Sequence, residues 1–290
     1  MTDFVSLLSV AKFRPAHLAP SVWSGHIPFA AWIISILRPR IFVELGTRSG
    51  NSYLAFCQSA AEHGLSTKCF AVDTWKGDEH AGFYDDSVFN ELNDYHQTHY
   101  ARFSRLLRMT FDEAATYFSE GSIDLLHIDG FHAYDVVKHD FETWLPKLSS
   151  HAIVLFHDIN VRERGFGVWK FWEELCECYP LHFEFSHSYG LGILQLSPDG
   201  APFVLDWLVQ GASNRNEIRD FFSGLGEHIQ RQYDLQILQG KLGESEAKIL
   251  DINLRLAACT VKLEEIHRSR SWQFAMWLRR VLHYLIPIGN

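Results

Sequence analysis

The sequence predicts an α/β fold built on a mainly parallel sheet, followed by a long helical C-terminal region. Three observations carry that expectation. Short β-rich runs alternate with helix-period segments between residues 41 and 178, the pattern of successive βαβ units. Two further β-rich runs, near residues 182 and 192, are joined by a short turn and are expected to pair antiparallel. From residue 235 the apolar period becomes seven, which argues for a coiled coil and not a core helix.

In chain order, residues 1–20 read as an irregular or partly helical lead-in, and 21–37 as a helix ended before Arg38-Pro39. Residues 41–45 are the first strand, and 51–63 a helix stopped by Gly64. Residues 68–73 are the second strand, 74–86 a polar, aromatic loop, and 87–103 a helix. The third strand (105–110) leads to a short helix (112–118), and the fourth strand (123–128) to a helix over 134–145. The fifth strand (152–156) precedes a Trp-rich helix (167–178) whose aromatics are read as core. Runs 182–186 and 192–196 close the sheet. Right-handed crossovers place helices on both faces. The expected organisation is a domain over 1–198, a helical connector over 199–234, and a coiled coil with a basic amphipathic tail over 235–290.

Hydrophobic residues are 47% and charged residues 21% of the 290, a balance that excludes wholesale disorder. Asp and Glu outnumber Lys and Arg 35 to 26, for a net charge of -9, so nucleic acid is not an expected partner. The charge is uneven. Arg268, Arg270, Arg279 and Arg280 face no acid in the last stretch, which leaves -13 for the first 267 residues. Five cysteines, an odd number without a CxxC pair, read as reduced thiols of a cytosolic protein. Asp3 and the lack of a long apolar core argue against a signal peptide at the N-terminus. No run of about 18 apolar residues suggests a spanning helix.

In an open α/β sheet, ligands bind at the carboxyl ends of the strands. Four of the five parallel strands end here in conspicuous residues: the turn from Glu44 to Gly50, Asp73, the run from Asp129 to His132, and His157-Asp158-Ile159-Asn160. The first is glycine-rich, but a dinucleotide fingerprint would need glycine at 46, 48 and 51, and the chain has Gly46, Arg48 and Asn51. No GxxxxGK[ST] occurs either. A carboxylate such as Asp73 can accept both ribose hydroxyls of an adenosine. Together these favour a nucleoside without pyrophosphate, a description that S-adenosylmethionine fits. No GxSxG elbow supports a hydrolase, and His151 and His157 lack a second cluster at zinc spacing.

Four stretches, Phe42-Val-Glu-Leu-Gly-Thr-Arg-Ser-Gly50, Ala71-Val-Asp-Thr-Trp-Lys-Gly-Asp-Glu-His-Ala-Gly-Phe-Tyr84, Ile123-Asp-Leu-Leu-His-Ile-Asp-Gly-Phe-His-Ala-Tyr134 and Val154-Leu-Phe-His-Asp-Ile-Asn160, resemble class I S-adenosylmethionine-dependent methyltransferases. The nearer resemblance is to the methyltransferase domain 24 group of bacterial glycan biosynthesis, over roughly residues 20–197. It implies a Rossmann-like sheet. It also implies that Glu44, Gly46, Thr47 and Gly50 form the pocket for the methionyl part of the cofactor, that Asp73 holds the ribose, and that Thr110, Phe111 and Asp112 flank the adenine. The loop over 77–84 can act as a lid. Methyl transfer to a sugar hydroxyl needs a base, a polarising metal, or both. His132 is placed to be that base, with Asp129 beside it. Related enzymes bind Mg²⁺ through acids at the ends of strands four and five, which implies Asp129, Asp158 and Asn160 as ligands. Many of them carry Asp-Asp or Asp-Asn where this chain has His157-Asp158-Ile159. His139, Asp140 and Glu142 are read as surface residues of a helix.

The expected function is O-methylation by S-adenosylmethionine of a sugar hydroxyl of a bacterial polysaccharide or its precursor, with Mg²⁺ as a second cofactor. Two alternatives stay open: an inactive binding or scaffold module, and a methyltransferase for another small acceptor. Positions 235, 242, 249, 256 and 263 are Leu, Leu, Ile, Leu and Leu, and 238, 245, 252, 259 and 266 are Leu, Ser, Ile, Cys and Ile. This stripe implies a homo-oligomer, or a glycosyltransferase partner, since residues 269–279 resemble a tail segment of bacterial glycosyltransferases. The tail's Arg and Trp residues also suit peripheral contact with the inner face of the membrane, around a cytoplasmic location.

Overall fold

The structure, a computed structural model, describes residues 4–197, 208 and 211–285. The first and last residues of the expected domain (1–3 and 198), parts of the expected connector (199–207, 209 and 210) and the end of the expected tail (286–290) lie outside the described residues. The chain divides into two units, Met1–Arg231 and Gln232–Asn290.

The strands are β1 (Ile41–Leu45), β2 (Lys68–Asp73), β3 (Gly77–Asp78), β4 (Gly82–Phe83), β5 (Ser104–Arg108), β6 (Ile123–Ile128), β7 (Leu148–His157), β8 (His182–Phe185) and β9 (Leu191–Gln195). Seven of them form one sheet in the order β5-β2-β1-β6-β7-β9-β8. The first five in that order are mutually parallel, and β9 runs antiparallel to both β7 and β8. The strand order reverses between β1 and β6, the place where an open sheet splays its loops apart and makes room for a ligand.

The helices are α1 (Phe4–Ala11), α2 (Ile27–Leu37), α3 (Asn51–Glu62), α4 (Asp86–His99), α5 (Phe111–Ala115), α6 (Tyr134–Trp144), α7 (Val168–Cys178), α8 (Arg215–Arg268) and α9 (Arg270–Leu285). Strand side chains alternate faces. In β7, Ile153 and Leu155 join one apolar cluster, and Ala152, Val154 and Phe156 the other. The first cluster takes in α2, α3 and, from the start of α8, Ile218, Phe222 and Ile229. The second takes in α5, α6 and α7, with Phe171 and Trp172 buried as core aromatics.

Local chemistry explains where element bounds depart from expectation. The segment over 21–37 opens as a 3₁₀ turn, Val22–His26, capped by Ser21, and Pro28 starts α2. The third strand stops at Arg108 because Thr110 caps α5 in a reciprocal box with Glu113. The loop after β2 contains the small β3–β4 hairpin. The helix carrying the seven-residue repeat starts well before residue 235, at Arg215. Among the described residues no helix is long and apolar enough to cross a membrane.

Candidate active site

The carboxyl ends of β1, β2, β6 and β7 border a cavity of about 600 Å³. The turn after β1 makes its floor. Gly46 has φ +85, and a Cβ there would lie 2.1 Å from the carbonyl oxygen of Asp129. Only glycine allows the β1 and β6 turns to come this close. The Thr47 and Arg48 amides each donate to Asp73 Oδ2 at 2.9 Å, and the Trp75 amide donates to Oδ1 at 2.7 Å. Asp73 therefore folds the glycine turn onto the end of β2, and it keeps only Oδ1 with spare accepting capacity. Thr47 is 4% exposed and its Oγ1 has no partner.

Two expected cofactor residues stand elsewhere. Glu44 does not line the cavity. It is a register partner of His127 on β6, and the pair points into the core. Its Oε2 accepts from His127 Nδ1 at 2.9 Å, while Trp23 Nε1 donates to His127 Nε2 at 3.2 Å. That arrangement fixes the proton of His127 on Nδ1. Gly50 does not line the cavity either. It is the residue before α3, at φ +79, and a Cβ there would meet Leu92 Cδ1 at 2.4 Å. Its role is to turn the chain under α4.

At the other end of the cavity Thr110, Phe111 and Asp112 are in the lining, as expected for residues that follow the third parallel strand. Asp112 Oδ1 is 2.9 Å from His139 Nε2. Asp140 corrects the surface reading. It is 4% exposed, it lines the cavity, and its Oδ2 has no partner. Burial pushes its carboxyl up to about 7, helped by the nearby Asp112, although His139 opposes the shift. A buried acid kept near neutral in a cleft is a mark of a functional position.

The acid–imidazole cluster stands at the ends of β6 and β7, on the far side of the β1 turn from β5 in the sheet order. Asp129, His132 and Asp158 each offer an atom within 4.8 Å of the others. His132 Nε2 is 2.8 Å from Asp158 Oδ2 and 3.7 Å from Asp129 Oδ1. Its ring stacks on Phe166 at 4.3 Å. Burial alone would lower the basicity of His132, but hydrogen bonds to Asp129 and Asp158 outweigh it and push the imidazole up to about 9. His157 sits behind the cluster, with Nδ1 3.1 Å from Asp129 Oδ1 and Nε2 3.0 Å from the Ser188 carbonyl. Both of its nitrogens face acceptors, so both carry hydrogen and the ring is an imidazolium. Burial would raise Asp129, yet His157 and His132 hold it well below the usual carboxylate range. The cluster thus pairs two carboxylates with two imidazoliums. Asp158 sits at φ +63, an unusual backbone region for a residue other than glycine.

Asn160, expected as a ligand, is outside the cluster. It is exposed, and its Nδ2 donates to the Ser186 carbonyl at 3.1 Å. The β8–β9 turn claims it. His132 takes its place as the third donor. The β3–β4 hairpin brings His80 into the lining, stacked on Phe131 at 4.4 Å and Phe166 at 4.7 Å.

Residues 43–159 match the model of a family described as methyltransferase domain. The chain is 43% identical over 267 residues to an uncharacterized protein, y4gI, of Sinorhizobium fredii (strain NBRC 101917 / NGR234); the match covers 90% of the chain. The chain spans only 29% of the length of that relative. Among solved structures, the O-methyltransferase TomG from Streptomyces achromogenes, in complex with SAM, is 14% identical, with a TM-score of 0.46 over 68% of this chain and 92% of that one. A methyltransferase from Geobacter sulfurreducens is 14% identical, with a TM-score of 0.45 over 66% and 86%. The spermidine synthase of Thermotoga maritima is 11% identical, with a TM-score of 0.45 over 61% of each chain.

The fold is a Rossmann-like methyltransferase fold. In this methyltransferase fold the matched segment runs from β1 to just past β7, so it contains the glycine turn, Asp73 and the whole Asp129–His132–Asp158 cluster.

Proposed function

We propose that the first unit transfers the methyl group of S-adenosylmethionine to a hydroxyl oxygen of a small acceptor. The observation that carries this reading is the conjunction, along one edge of the sheet, of an open glycine cradle and an acid–imidazole cluster. The residues present fit the cofactor. The Gly46–Thr47 turn lines the cavity, and Thr47 Oγ1 and Asp140 Oδ2 are buried polar atoms without partners. Bound there, S-adenosylmethionine would supply an electrophilic methyl group.

The chain's own residues do the rest. Gly46 and Thr47 admit the methionyl part, and the remaining lone pair of Asp73 Oδ1 takes one ribose hydroxyl. Thr110, Phe111, Asp112 and Asp140 hold the base. The neutral form of His132 keeps its Nε2 hydrogen on Asp158 and takes the proton of the acceptor hydroxyl at Nδ1, a buried atom without a partner, and Asp129 and Asp158 stabilise the imidazolium that results. Two carboxylates and an imidazole also suit a divalent cation such as Mg²⁺, which would polarise the acceptor oxygen. Alignment of the hydroxyl against the methyl group is the larger contribution.

The acceptor is a sugar hydroxyl of a bacterial polysaccharide or its precursor in this reading. Support comes from the ring wall of His80, Phe131 and Phe166, which suits the C–H face of a sugar, and from Arg48 and Arg164 in the lining, which suit an anionic carrier. Calorimetry with S-adenosylhomocysteine, then mass spectrometry of candidate glycans incubated with S-adenosylmethionine, tests it. Binding, followed by a gain of one CH₂ in the product, is expected. A folded protein that binds no S-adenosylhomocysteine overturns the reading.

A further inference from the structure

The second unit, Gln232–Asn290, plays no part in that chemistry, and α8 carries the largest apolar feature left unused within it. The aliphatic side chains of the repeat, Leu235, Leu238, Leu242, Ile249, Ile252, Leu256, Leu263 and Ile266, are 50–63% exposed. Single helices draw most of their stability in water from covering such a stripe.

We infer that this seam is closed by further copies of the same chain, aligned parallel and in register. The columns flanking the seam argue for both the occupant and its direction. One side holds Lys241, Lys248, Arg255 and Lys262; the other holds Gln239, Glu246, Asn253, Thr260 and His267. In an antiparallel pair each column faces its own copy, which sets four cations against four cations. In a parallel pair the basic column faces the other one, where no Lys or Arg stands. Lys241 then lies opposite Glu246 of the partner subunit. A slip of one heptad discards two apolar layers and one of the two Lys–Glu pairs.

Register also decides the surroundings of Cys259, which occupies a seam position and is exposed in the single chain. Parallel, in-register pairing sets it against Cys259 of the partner subunit, within disulfide reach. Antiparallel pairing about the middle of the seam separates the two by roughly 25 Å, at about 1.5 Å per residue.

The test uses the full chain with Cys178→Ser, which removes the other exposed cysteine. Light scattering should give a multiple of the chain mass. Diamide, which takes the hydrogens of two thiols and leaves a disulfide, should produce a covalent dimer on a denaturing gel, and adding Cys259→Ser should abolish it. Ile252→Asp should return the protein to the mass of one chain while its affinity for S-adenosylhomocysteine stays within about twofold. A single-chain mass before mutation overturns the inference and leaves the seam to a foreign helix or a membrane surface. A multimer that diamide does not link through Cys259, or that Ile252→Asp does not dissociate, overturns it as well.

Discussion

His132 Nε2 lies 2.8 Å from Asp158 Oδ2, close enough to share a hydrogen, and the imidazole holds that hydrogen up to about pH 9. At pH 7 about one His132 in a hundred is neutral, from the tenfold change in ratio per pH unit. The residue is a strong base in short supply. Histidine C2-proton NMR should show it titrating near 9, and Asp158→Asn should move that titration towards the ordinary histidine range. Turnover in chelator should rise about tenfold per pH unit from 7 towards 9, because the neutral fraction is what reacts. His132→Ala should lower turnover by ~10²–10⁴-fold, the usual worth of a general base. A pH-independent rate across that window would contradict the assignment.

A divalent cation entering the cluster must displace the proton of His132 before Nε2 can ligate. Mn²⁺ titrations in two buffers of different ionisation heat should therefore differ by close to one proton released near pH 7. Asp129→Asn and Asp158→Asn should each weaken Mn²⁺ binding at least tenfold, about 1.4 kcal/mol. Asn160→Ala should leave it unchanged, since that side chain is committed to the β8–β9 turn.

Asp140 links stability to pH. In the folded chain its carboxyl titrates near 7, well above its value when exposed. The folded state keeps a proton through a window, from about 4 to 7, in which the unfolded state has lost it. By linkage, stability falls as pH rises through that window and levels off above it. Asp140→Asn should flatten this slope and stabilise the unliganded protein near pH 8, by on the order of 4 kcal/mol at most. The same change should weaken S-adenosylhomocysteine about tenfold or more. A structural acid would behave oppositely, losing stability on substitution, and differential scanning fluorimetry with calorimetry separates the cases.

Glu44 belongs to the interior. Leaving a buried neutral N–H donor without its acceptor costs ~1–3 kcal/mol. Glu44→Ala should cost that much in urea unfolding, because it strands His127 Nδ1 at full burial. An S-adenosylhomocysteine affinity that collapsed without loss of stability would instead restore Glu44 to the cofactor pocket.

The sheet was legible because βαβ alternation and residue-level punctuation agree. Gly46, Asp73, Asp129 and Asp158 end the strands that the topology brings side by side. Faces and partners were harder to read. Glu44 is two residues before Gly46, and only strand alternation and its pairing with His127 show that it points inward. Asp140 shares a helix with the exposed His139 and Glu142, and no local pattern marks the turn of helix that faces the cavity. His157 stood out only as part of a strand end, because its partners Asp129 and the Ser188 carbonyl are roughly thirty residues away in each direction. Asn160 was drawn towards the metal set by proximity in sequence, and a turn that arrives later in the chain takes it.

One helix, α8, serves two units: Ile218, Phe222 and Ile229 are buried in the first, and the second begins at Gln232. Phe222 meets Phe29 at 5.3 Å, Trp32 at 5.2 Å and Phe185 at 5.9 Å. The start of a helix is therefore the wrong place to cut. A fragment ending at residue 214 would bare that aromatic nest and precipitate. One ending at Arg231 keeps it covered, so gentle trypsin treatment should leave a protected core whose new C-terminus is an arginine beyond Ile229.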